Sequence, residues 1–116
     1  MAAAVVVAAG CRVESMAVEV DDVRVEAAED HLVVTNGRDE RIYYFALFEE
    51  GAINVEWVPC TLAVCAALAP QSITRVPYSE VAGGDGDTIL FYWWLAVHDE
   101  AAPSSPGPVH VLRVER

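Results

Sequence analysis

Three histidines, five serines and three cysteines are the side chains here with chemistry to offer. Nucleophilic catalysis needs a Ser or Cys within reach of a base, and a third group to orient that base. Ser15, Ser72, Ser79, Ser104 and Ser105 lie in no G-x-S-x-G elbow, and the chain carries no phosphate loop or dinucleotide fingerprint. His31 stands alone. If the last two long strands pair as a hairpin, His98 and His110 fall near each other beside Asp99. Two imidazoles and a carboxylate are a metal-ligand inventory. The plainer alternative is two rim histidines flanking a loop. Glu49 and Glu50 are adjacent, so on a strand they point to opposite faces and read as a solvated strand end. Gly83–Asp87 reads as a glycine turn, with a weak calcium site at Asp85 and Asp87 as the alternative. The expectation is therefore a protein that is not an enzyme and uses no cofactor. A metal-dependent hydrolase at His98, Asp99 and His110 is the minority reading.

The cysteines are Cys11, Cys60 and Cys65, an odd count. Cys60 and Cys65 sit in PCTLAVC between two strand-like stretches. A bridge there closes a very short ring, so its entropic gain lies near the low end, about 2 kcal/mol. The spacing is not CxxC, and no second ligand pair completes a zinc site. The choice is between a disulfide and two reduced thiols. Cys11 follows the apolar, small-residue run AAAVVVAAG. That run is too short to span a bilayer but has the length of a signal-peptide apolar region. Ala8-Ala9-Gly10-Cys11 resembles a bacterial lipoprotein cleavage box, which implies lipidation of Cys11. Two positions depart from that pattern: Ala8 stands where Leu is usual, and no Lys or Arg follows Met1. The alternative is an ordinary apolar strand.

Binding chemistry is better represented, by aromatic residues. In the stretch TILFYWWLAVH, Phe91, Trp93 and Leu95 point one way and Tyr92 and Trp94 the other. Ile42-Tyr43-Tyr44-Phe45 repeats the doubling. A sandwich strand ordinarily shows one apolar face to the core and one polar face to water. Here both faces are apolar. Trp93 is expected in the core. Trp94 is expected to be partly exposed, and Tyr44, Tyr92 and Trp94 are the candidate binding residues for a protein or glycan. The alternative is that the loop holding Pro59–Pro70 covers the second face.

These residues must be placed by short strands. Val18/Val20, Val23/Val25, His31–Thr35, Arg41–Phe48, Ala52–Val58, Ser72–Val76, Thr88–His98 and Val109–Val114 show β-type patterning. Asp21-Asp22 shifts the phase by one residue, which suggests a bulge or a change of sheet. Asn36-Gly37 reads as a turn, Ala66–Leu68 as a helical turn at most, and Asp99–Pro108 as a loop. No crossover helix intervenes. The expected architecture is an all-β, antiparallel two-sheet immunoglobulin-like sandwich of about seven strands, with a small barrel as the alternative. Residues 16–116 would form the single domain and residues 1–11 a signal or lipobox remnant.

LVVTNG, IYYF, WVPC…C, RVPYSEVAG and the strand ending in Trp-Trp resemble small exported bacterial proteins with an immunoglobulin-like sandwich. The likeness covers roughly residues 23–98 and implies fold and compartment, with no activity to carry over.

The chain has 116 residues, 54% hydrophobic and 22% charged, enough for one core and too apolar for disorder. All seven basic residues are Arg, against 18 acidic ones, for a net charge of -11. That balance excludes nucleic acid and docking on an anionic membrane; a membrane enters only through a lipid anchor. The Arg-only, Ala/Val-rich usage suggests a bacterial source. The expected function is an exported, non-enzymatic binding module of the bacterial envelope, periplasm or extracellular space, working through an aromatic sheet face. A structural lipoprotein of an envelope assembly, a homodimer and a cytoplasmic location are the alternatives.

Overall fold

Alternating Val residues with charged neighbours form the first two strands, β1 (Ala17–Val20) and β2 (Val23–Ala27). The structure, a computed structural model, describes residues 17–99 and 102–116. Asp21 and Asp22 join the two strands with φ of 54° and 68°, and Val20 pairs directly with Val23. Positive φ at both central residues makes this a tight hairpin turn. The phase shift is therefore a reversal of chain direction, not the bulge or sheet switch expected. The chain continues through β3 (His31–Asn36), β4 (Ile42–Phe48), a 3-10 turn at Glu49–Asn54, β5 (Ala67–Leu68), β6 (Ser72–Pro77) and a short 3-10 turn at Tyr78–Glu80. It closes with β7 (Thr88–Trp94), β8 (Ala96–Asp99), β9 (Ala102–Pro106) and β10 (His110–Glu115).

All ladders are antiparallel. One sheet runs β1-β2-β3-β6, the second β10-β7-β4-β5, and β8-β9 is a separate hairpin. The sheets are open, so the architecture is a sandwich and not a barrel. The pairs β3/β6 and β4/β7 interlock: the chain crosses from one sheet to the other between β3 and β4, between β5 and β6, and between β6 and β7. The core lies between the sheets and includes Val23, Val25, Leu32, Val34, Ile42, Phe48, Ile89, Phe91, Trp93, Leu112 and Val114, all buried. Each such side chain contributes about 1.5–3 kcal/mol of burial.

Four expectations need correction. Ala52–Val58 is not a strand: Glu49–Asn54 is a 3-10 turn and residues 55–61 have no ladder. Ala66–Leu68 contains a short strand, not a helical turn. Thr88–His98 is broken at Leu95, whose carbonyl instead accepts a bond from the Gly107 amide at 2.7 Å. The expected Asp99–Pro108 loop holds β9, where Ala96 pairs with Pro106; a two-stranded edge tolerates proline because half its amides need no partner.

Asn36 ends β3 fully buried, at 0% exposure. Its side-chain amide donates to the carbonyls of Glu40 (2.9 Å), Ala69 (3.0 Å) and Leu68 (3.4 Å), and its oxygen accepts from the Arg38 amide at 3.0 Å. Asn36-Gly37 is thus more than a turn. It ties the end of the first sheet to β5 of the second.

Candidate binding surface

The β4/β7 register decides which aromatics share a face. Directly opposed residues point the same way. Tyr44 faces Trp93, Ala46 faces Phe91 and Phe48 faces Ile89; this is the core side. Tyr43 faces Trp94, Phe45 faces Tyr92 and Leu47 faces Leu90; this is the outer side. Tyr44 therefore does not join Tyr92 and Trp94 as expected. It stacks on Phe91 with ring centroids 5.3 Å apart, and its burial pushes the phenol pKa above the usual value.

The outer side is not an open platform either. Trp94 is only 2% exposed, against 1% for Trp93, so the partial exposure expected of Trp94 is corrected. The cover is a strap, residues 55–66, that crosses the outer face. Trp57, near its start, lies over the aromatic residues of the outer face. Its ring is 4.8 Å from Phe45, 4.7 Å from Tyr92 and 5.8 Å from Trp94. Trp94 Nε1 donates to the Cys60 carbonyl at 3.0 Å. Tyr92 is left half-buried beneath Trp57.

Local chemistry explains why the strap runs where it does. At its entry the Glu49–Asn54 turn packs Gly51 against Gly83, and a Cβ at position 51 would overlap the Gly83 carbonyl. Gly83 itself has φ of 93°, which suits glycine. Arg113 on β10 holds Glu49 at 2.5 Å, and the carboxylate raises the Arg113 pKa. The Asp87 amide donates to Glu50 at 3.1 Å and holds that carboxyl below its ordinary pKa. Past Pro59, Cys60 and Cys65 are joined as a disulfide with Cα atoms 5.9 Å apart. The Cys65 amide donates to the Leu62 carbonyl at 3.0 Å, closing the loop. Thr61 reaches Ser104 of β9 at 3.4 Å. At the exit the Tyr44 amide donates to the Ala66 carbonyl at 3.2 Å, and β5 begins.

The region around the strap turns apolar side chains outward. Ile53 is 92% exposed, Val58 78%, Leu62 66% and Val64 90%. No charged residue occurs from Trp57 to Thr74. Val111, which pairs with Tyr92 on the outer face, is also exposed. Glu49, Glu50 and Glu56 precede the uncharged run. Single exposed aliphatics are ordinary; here four lie within twelve residues of a chain of charge -11.

The metal-ligand expectation does not assemble. β10 does pair with β7, but His110 sits opposite Trp93 and stacks on it with centroids 4.2 Å apart. His98 lies beyond the break at Leu95, in β8, which pairs with β9 instead. His98 and Asp99 therefore share no ladder with His110. Among the described residues no group of three or more His, Cys, Asp or Glu side chains is placed to hold a metal. Asp85 is paired with Arg116, which occupies the carboxylate considered for calcium. Cys11 and the segment 1–11 lie outside the described residues. No helix among the described residues is long and apolar enough to cross a membrane.

Trp57 is the residue that sequence reasoning missed. Within INVEWV it reads as one more strand residue. The available signal was a demand elsewhere: two strands with aromatic residues on both faces need a large apolar partner from outside the sheet. No family model, curated protein or solved structure matches the chain.

Proposed function

We propose that this protein is a non-enzymatic interaction module, exported in a bacterium and anchored or released at the envelope, whose contact surface is the strap rather than the bare aromatic sheet. The observation that carries this reading is the outward exposure of Val58, Leu62 and Val64 on an uncharged strap, the last two inside its Cys60–Cys65 loop, with Ile53 exposed just before it. Trp57, Tyr92 and Trp94 support that array from beneath. The disulfide favours an oxidising compartment. The interlocked strand pairs favour the immunoglobulin-like form of the sandwich. The partner that fits is a protein with an apolar centre and a basic rim, since acidic residues precede the strap and the whole chain is acidic.

The test places a photoreactive residue at Val64 in the full chain in its native host. A parallel variant carries it at Ile73, equally apolar and 70% exposed on the other sheet. Position 64 should give one discrete adduct with a basic-rimmed protein, weakened by salt, and position 73 should not. The same adducts from both sites, or none from position 64, would remove the strap as the contact surface. An adduct of the chain with itself would make the partner a second copy.

A further inference from the structure

A second candidate site lies at the Tyr43–Trp94 end of the aromatic strands. Tyr43 opposite Trp94 is the last pair of the β4/β7 ladder. Beyond it β8 diverges to pair with β9, while Glu40 and Arg41 lead into β4. The divergence opens a cleft of about 430 Å³ lined by Glu40, Arg41, Tyr43, Leu95, Ala96 and His98. That volume lies in the range of small-molecule sites, about 300–1,000 Å³.

The lining is unlike the rest of this acidic molecule. Among the described residues its one carboxylate is Glu40, whose Oε1 accepts twice from the Arg38 guanidinium, at 2.8 and 3.1 Å. The other lining residues, Arg41, His98, Tyr43, Leu95 and Ala96, carry a guanidinium, an imidazole, a phenol and two apolar side chains. A guanidinium fork matches a carboxylate with two parallel bonds, and the imidazole and phenol add donors. The net charge of -11 repels a phosphate dianion more than a monoanion.

We infer that this cleft binds a small organic carboxylate bearing an apolar group, with Arg41 receiving the carboxylate, His98 and Tyr43 flanking it, and Leu95 and Ala96 taking the apolar part. The cleft shares no lining residue with the strap and does not depend on the function proposed for it.

The test is an NMR titration of the isotopically labelled full chain with N-acetyl-L-leucine, butyrate and benzoate. N-acetyl-L-leucinamide and inorganic phosphate are the comparison probes. At least one carboxylate should saturate, with shifts centred on Arg41, Leu95 and His98. The amide and phosphate should bind at least tenfold more weakly. Arg41→Gln should weaken carboxylate binding about tenfold or more, which corresponds to about 1.4 kcal/mol. Arg41→Lys, which keeps the charge and loses the fork, should fall between. Arg75→Gln, an exposed charge on β6, should change nothing. A dispersed spectrum for each variant establishes that it is folded. The inference is overturned if no carboxylate saturates below about 20 mM, if acid and amide bind alike, or if Arg75→Gln weakens binding as much as Arg41→Gln.

Discussion

Trp93 and Trp94 are neighbours on one strand, almost equally buried and covered in different ways. Trp93 faces the opposing sheet, in a core closed by continuous ladders, with His110 stacked on it and the Arg38 guanidinium 5.5 Å from its ring. Its Nε1 is buried without a partner among the described residues. Trp94 faces a strap that has no ladder across residues 55–61, and its Nε1 is bonded to Cys60. Fractional exposure does not distinguish these sites; the connectivity of the cover does. A sheet opens only with the whole domain, whereas a strap held by one indole, one short loop and a few hydrogen bonds is able to open alone.

The largest expected effect separates the two indoles directly. Trp93→Ala should cost about 5 kcal/mol, the upper end for such truncations, because rigid sheets cannot collapse on the cavity. Trp94→Ala should cost about 3 kcal/mol, since the strap can settle into the space. Urea unfolding of both variants checks the order, and the reverse order would break the comparison. Asn36→Ala comes next, at about 2–3 kcal/mol, because a fully buried amide loses its bonds to the Glu40, Leu68 and Ala69 carbonyls. The same denaturation curves would show it, and an effect below about 0.5 kcal/mol would mean water replaces the amide.

Reducing the Cys60–Cys65 bridge should cost at most about 2 kcal/mol. The effect should be local: chymotrypsin should cut the strap of the reduced protein near Leu62 while β-sheet circular dichroism persists. Loss of both together would make the strap part of the global unit. The smallest effect is acidic. Glu50 is held below its ordinary pKa chiefly by the Asp87 amide, and Asp30 chiefly by its hydrogen bond to His31. A lowered folded pKa gives stability that is present above the unfolded carboxylate value and lost as pH falls through the folded one. The urea midpoint should therefore drop on going from pH 6 to about pH 3, and Glu50→Gln should make the drop smaller. An unchanged slope in that variant would remove Glu50 from the account.

The legible parts of this molecule were those where local pattern and tertiary demand agree. Val23/Val25, Leu32/Val34 and Phe91/Trp93 alternate because one face meets the core, and the structure puts them there. The strap was not legible, because INVEWV has strand-like composition and only the absence of a neighbouring strand keeps it from pairing. The Asp21-Asp22 turn was hidden because two aspartates at positive φ stand where Asn-Gly or Asp-Gly is usual. Asn36-Gly37 carried the stronger turn signal, yet Asn36 is spent inside the fold on β5, a contact made with residues more than thirty positions away. The split between Tyr44 and Tyr92 was fixed by ladder register, and alternation within a single strand cannot supply register between two.

The most direct test uses the three tryptophans as reporters of the two covers. With 5-fluorotryptophan throughout, Trp57, Trp93 and Trp94 give three fluorine resonances, assigned by single Trp→Phe variants. Their solvent isotope shifts would be followed across a urea titration. Trp57 and Trp94 should become solvent-exposed together, at lower urea than Trp93, which should change only with the global loss of sheet structure. A single shared midpoint for all three would contradict the account, because the strap would then be as firmly part of the cooperative core as the sheet it covers.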